Sequence, residues 1–112
     1  MARESLRGRW RYIAFRAESK TPPARNDLLG ALLSAAKGTP MANSFRITVF
    51  EDGFGILKVP HILKDEAIRL LASVESVKGD KCKVITLKTS GTILTLKEKY
   101  KKQIRGADDR SE

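Results

Sequence analysis

The chain has 112 residues, 22 Lys and Arg against 13 Asp and Glu, and a formal net charge of +9 at pH 7. That length supports one domain with one modest core, and 41% apolar with 31% charged residues marks a folded chain rather than a disordered one. A single cysteine, Cys82, and a single histidine, His61, exclude a disulfide framework, a multi-cysteine zinc site and a His-rich metal centre.

Residues 1–8 carry no periodic apolar signal and are expected to form a flexible basic segment, ahead of a single α/β domain over residues 9–105 and a flexible tail over 106–112. Met1 to Gly8 is charged and no apolar segment follows it, and no run approaches the roughly 18–20 apolar residues that span a bilayer, so a cytoplasmic location is expected. From Arg9 to Ser19 the sequence alternates. Ile13, Phe15 and Ala17 share one face and Tyr12, Ala14 and Arg16 the other, which predicts a strand with one face buried. Thr21-Pro22-Pro23 breaks it, and proline suits a first helical turn, where its missing N–H is not needed. Leu28, Leu29, Leu32, Leu33 and Ala36 then predict a helix that ends at Gly38 and Pro40. Gly30 within it costs roughly 1 kcal/mol against Ala and is expected to mark a close packing contact.

Phe45 to Glu51 predicts a second strand, with Phe45, Ile47 and Val49 on one face. Asp52-Gly53 is a turn signal, Phe54 to Val59 a third strand, and the two strands should form a hairpin that Pro60 stops. Leu63, Ala67, Leu70, Leu71 and Val74 predict a second helix, with Gly79-Asp80 closing its exit loop. Cys82 to Thr89 alternates again, Val84 and Thr86 opposite Ile85 and Leu87. Ser90 is the expected N-cap of a third helix, whose apolar stripe is Ile93, Leu96, Tyr100 and Ile104.

The order is β-α-β-β-α-β-α. Its first six elements match the split β-α-β pattern of ferredoxin-like and RNA-recognition-like antiparallel sheets. Such a sheet buries one face under two helices. The third, amphipathic helix is expected on the remaining face, which makes the fold class an α/β (α+β) sandwich.

The positive charge points to nucleic acid, because Lys and Arg contacts to phosphates release counterions. Arg3, Arg7, Arg9, Arg11 and Arg16 crowd the N-terminal part, and Lys97, Lys99, Lys101, Lys102 and Arg105 the C-terminal part. A membrane surface fits less well, since nothing bulky and apolar repeats along the basic segments. Catalytic chemistry has no visible apparatus. His61 stands in no motif, and Cys82 opens a strand and reads as a core thiol. Asp65 and Glu66 are adjacent on a helix and do not face each other, and Asp108-Asp109 lies in the tail. No Gly-rich phosphate loop and no metal-ligand spacing occurs. Tyr12 has a stacking-like position on the first strand, but Phe54-Gly55-Ile56-Leu57-Lys58 is not an RNA-recognition signature, and the third helix is expected to cover that face. Phosphate contacts to a structured RNA therefore fit better than base stacking. Ser90-Gly91-Thr92-Ile93 is a strand-to-helix turn, either a plain cap or a turn whose N–H groups hold a phosphate oxygen.

Three strings carry a family likeness. Arg11-Tyr12-Ile13-Ala14-Phe15, Gly55-Ile56-Leu57-Lys58-Val59, and Ser90-Gly91-Thr92-Ile93 with its Lys-rich helix through Tyr100 stand in the right order. Over roughly residues 9 to 104 the chain resembles the ribonuclease P protein component 2 family. Val59-Pro60-His61, at the start of the second helix, departs from the family pattern, and no role is carried onto His61. The resemblance implies a subunit of the ribonucleoprotein that removes the 5′ leader from precursor tRNA. It implies catalysis by the RNA subunit with Mg2+, no cofactor on the chain itself, and pairing with component 3, a TIM-barrel-like protein, as a homodimer within a heterotetramer. Arg9, Arg11, Arg16, Lys97, Lys99, Lys101, Lys102 and Arg105 would then contact RNA phosphates, with Ser90, Gly91 and Thr92 shaping a turn at the RNA. The competing expectation is a generic basic RNA-binding module, ribosomal-protein-like and not tied to tRNA processing.

Overall fold

The computed structural model describes residues 10–21, 23–42, 44–100 and 102. The first alternating segment forms strand β1 (Trp10–Glu18). Helix α1 (Arg25–Ala36) follows, then β2 (Arg46–Glu51) and β3 (Phe54–Pro60). A 3₁₀ turn (His61–Leu63) leads into α2 (Lys64–Ser73). Two short strands, β4 (Ser76–Val77) and β5 (Asp80–Lys81), precede β6 (Lys83–Ser90) and α3 (Ile93–Lys99). The expected segment 1–8, the tail 106–112 and Ile104 of the third-helix stripe lie outside the described residues.

The main sheet runs β2-β3-β1-β6 with every neighbouring pair antiparallel. The two central strands are thus β1 and β3, as in ferredoxin-like folds. One face packs on α1 and α2: Ile13, Phe15, Ala17, Leu57, Val59 and Val84 meet Leu28, Leu32, Ala67 and Leu71 in one buried cluster. The other face carries a smaller cluster, Ala14, Phe54 and Ile56 beneath Leu96 of α3. The expected sandwich is what forms. Each fully buried Leu, Ile or Phe removes enough apolar surface to contribute roughly 1.5–3 kcal/mol.

Two bulges correct the expected strand faces. In β2, Ile47 opposes Leu57 but Val49 opposes Ile56, so Thr48 is the extra residue. Its Oγ1 donates to the Ile56 carbonyl at 3.1 Å. Val49 is thereby thrown to the α3 side, while Phe45 and Ile47 stay with the main core. In β6, Thr86 opposes Phe15 and Lys88 opposes Ala14, which leaves Leu87 outside the pairing.

Other expectations shift by a turn. α1 buries Leu28, Leu32 and Ala36, but Leu33 is exposed. Pro23 stands just before the extended N-cap Ala24 rather than within the first turn, and Pro22 lies outside the described residues. Gly30 makes no close contact: a Cβ there would meet nothing within 4 Å. The close approach is at Gly55, where a Cβ would run into the ring of Phe15 and come within 2.9 Å of Phe50. α2 stops at Ser73, and Val74 stays in the core after the chain has turned extended. The exit loop is a hairpin of its own, β4–β5. Lys78 and Gly79 there share the positive φ values of Asp52 and Gly53 in the β2–β3 turn, the pairing that tight two-residue hairpins need.

Candidate nucleic-acid interface

Strand register aligns side chains in rows across the sheet face that carries α3. The first row is Arg46, Lys58, Tyr12 and Ser90. Next come Val49, Ile56, Ala14 and Lys88, and then Glu51, Phe54, Arg16 and Ile85. Leu96 fills the centre, and the Tyr100 ring lies 5.1 Å from that of Phe54. Around this apolar seam stand Arg46, Lys58, Arg16 and Lys88 of the sheet, with Lys97, Lys99 and Lys102 at or just beyond α3. Glu51 is the sole carboxylate in the three rows.

The turn between β6 and α3 is a capped helix start. Ser90 is the last strand residue, not the N-cap: its Oγ accepts from the Thr92 N–H at 3.2 Å. Thr92 is the N-cap, and its Oγ1 accepts from the Thr95 N–H at 3.4 Å and shares a 2.8 Å hydrogen bond with the Thr95 hydroxyl. These hydroxyls occupy the N–H groups of Thr92 and Thr95, which is the capping arrangement.

Arg11 opposes Val59 and so lies on the α1–α2 side of β1, at its edge. Its guanidinium nonetheless reaches the turn: Nη1 is 2.9 Å from where a Cβ on Gly91 would sit. Arg11 and the Ser90-Gly91-Thr92 turn, far apart in sequence, therefore meet. Arg16 is half-buried in the third row and Lys99 is exposed, its Nζ 5.8 Å from the Tyr100 ring. Arg9, Lys101 and Arg105 lie outside the described residues. Arg46, Lys58 and Lys88 are the cations that sequence reasoning missed. Lys58 also places its Nζ 4.4 Å from the centre of the Trp10 ring.

His61 is exposed at the start of the 3₁₀ turn. Cys82 is buried, 2% exposed, and desolvation pushes its thiol above the usual range. No group of three His, Cys, Asp or Glu suited to a metal ion occurs among the described residues. No described helix is long and apolar enough to cross a membrane. An open cleft of about 600 Å³ at the far end of the sheet mixes Lys20, Lys81 and Lys83 with Glu18 and Asp80. Glu18 opposes Lys83 in the ladder there, so the cleft has no strong charge of either sign.

Known proteins are similar to this chain in sequence and in fold. The family model for the Rpp14/Pop5 family matches residues 11–101. The chain is 30% identical over 101 residues to ribonuclease P protein component 2 of Methanosarcina mazei, covering 86% of this chain and 87% of the relative. It is 32% identical over 103 residues to the protein of the same name from Methanosarcina acetivorans, covering 88% and 78%. In fold it is similar to a chain of yeast ribonuclease MRP solved by cryo-EM, with a TM-score of 0.62 at 16% identity over 93% of this chain and 96% of that one. A match that runs from the first strand to the end of the last helix, with relatives aligned along most of both lengths, places the chain in the Rpp14/Pop5 family of ribonuclease P and MRP protein subunits.

Proposed function

We propose that the chain is a protein subunit of ribonuclease P and supports 5′-leader removal from precursor tRNA by binding structured RNA. The observation that carries this reading is the cationic rim around α3, where four strands and one helix of a family member contribute Arg46, Lys58, Arg16, Lys88, Lys97 and Lys99 to one face. Arg11 at the Gly91 turn extends the rim, and Arg9, Lys101, Lys102 and Arg105 belong to the same proposal. Phosphate contacts of this kind orient a folded RNA without reading its bases. Neutralised phosphates repel one another less, so the active RNA fold forms at lower Mg2+. The Mg2+ ions belong to the RNA subunit, which performs the hydrolysis, and this chain holds no catalytic group. Component 3 is its protein partner, and the chain forms a homodimer within a heterotetramer in the cytoplasm.

Competition binding tests the reading. The catalytic RNA of ribonuclease P should displace an unrelated structured RNA of equal length from the chain and component 3 at physiological salt. Equal affinity for both RNAs would instead favour a generic basic module.

A further inference from the structure

The first cross-sheet row carries more than phosphate-binding charge. Trp10, the chain's one tryptophan, stands two residues before Tyr12 on β1, so both rings lie on the α3 side of the sheet. α3 does not cover this corner completely. Tyr12 packs against the apolar cluster under the helix, whereas Trp10 is not part of that cluster. Trp10 is only partly buried. Lys58 holds it from one side, Nζ at 4.4 Å from the ring centre, in the geometry of a cation–π contact. Arg46 is exposed directly across the β2–β3 ladder from Lys58. An aromatic ring with one cation over it and a second cation across the next ladder, at a corner of the sheet, suits a base with its phosphate.

We propose that Trp10, Lys58 and Arg46, backed by Tyr12, form a platform for one unpaired nucleotide of the bound RNA. The base stacks on the indole, and Lys58 and Arg46 take the flanking phosphate charge. The nucleotide must be unpaired, because a base within a duplex has both faces occupied by its neighbours and its edges lie in grooves that a flat ring cannot enter. The platform rests on the RNA-binding reading and adds the kind of RNA element that meets this corner.

The sole tryptophan is its own reporter. The full chain is titrated with a short single-stranded oligoadenylate, with a blunt RNA duplex of the same length, and with tripolyphosphate. Tryptophan fluorescence reads stacking, and anisotropy of end-labelled RNA reads binding separately. The single strand should quench the tryptophan saturably, while the duplex and tripolyphosphate should bind without quenching. Trp10→Leu should weaken single-strand binding by about 5- to 100-fold and leave duplex binding within about twofold. Trp10→Phe should retain most of the affinity. Binding of both RNAs with no quenching by either, or an equal loss of both in Trp10→Leu, would overturn the platform and leave the RNA-binding reading standing. Absence of binding to either RNA would overturn both. The wild-type titration needs no variant to fold.

Discussion

Arg11 and Gly91 are in close approach: the guanidinium Nη1 lies 2.9 Å from the point where a Cβ on Gly91 would stand. The contact joins the N-terminal strand to the β6–α3 turn and depends on the absence of a side chain. Because the neighbour is the far end of a flexible side chain, Gly91→Ala should displace the guanidinium at little cost. Stability should change by less than about 1 kcal/mol. If the guanidinium is poised for RNA, Gly91→Ala and Arg11→Ala should each weaken RNA binding, and the double variant should lose little more than Arg11→Ala alone. Anisotropy titrations of the four chains give that cycle directly.

Gly55 has the opposite character. Its missing Cβ is filled by the rings of Phe15 and Phe50, whose centroids are 6.2 Å apart in the main core. The Phe15 ring is fully buried and cannot withdraw freely, so Gly55→Ala should destabilise by about 1–3 kcal/mol. Denaturant melts would show it as a lower midpoint with an unchanged slope.

Gly30→Ala should do the reverse. The position is exposed in the middle of α1, with open space where the methyl would go. Helix propensity alone then favours alanine by roughly 0.5–1 kcal/mol. A thermal melt that rises by a few degrees is the expected outcome.

These two glycines show what was legible in the sequence. Alternation and helical spacing identified every long element, because each buries one face and the apolar residues recur at its period. The bulges at Thr48 and Leu87 were not legible. An inserted residue changes no composition, and only the ladder reveals that Val49 has crossed to the other face. The helix pattern marks Gly30 as the tight position and nothing local marks Gly55, because close approach depends on which rings the fold brings near. The same holds for the site. The lysines of α3 and the arginines of β1 stood out as local clusters. Arg46, Lys58 and Lys88 lie singly on three strands, and only register sets them on one face.

Cys82 carries a pH prediction. Burial raises its thiol pKa above the unfolded value, so the folded state disfavours the thiolate. The stability this represents is fully present below the ordinary thiol pKa of roughly 8.5 and is lost as pH rises through the higher folded value. Between about pH 7 and about pH 10 the native chain should therefore lose more stability than Cys82→Ala, measured by denaturant melts. Native Cys82 should also react slowly with a thiol reagent and quickly once unfolded.

Electrostatic RNA binding carries a salt prediction. Contacts to about four to six phosphates imply a log–log slope of affinity against salt of roughly −3 to −5. Combining Lys97→Gln, Lys99→Gln and Lys102→Gln should flatten that slope by about 2 to 3 and leave the melting curve unchanged. These lysines sit at exposed or half-exposed positions, and among the described residues none has an ion-pair partner. A slope near zero in the native chain would contradict the phosphate contacts.

Cleavage of precursor tRNA is the most direct test of the proposed role. The catalytic RNA, component 3 and Mg2+ are combined at a Mg2+ concentration too low for the RNA alone, and leader removal is followed with and without this chain. Strong stimulation, lost when the cations around α3 are neutralised in a folded variant, is the expected result. Cleavage that proceeds equally well without the chain, with every component shown to be folded, would contradict it.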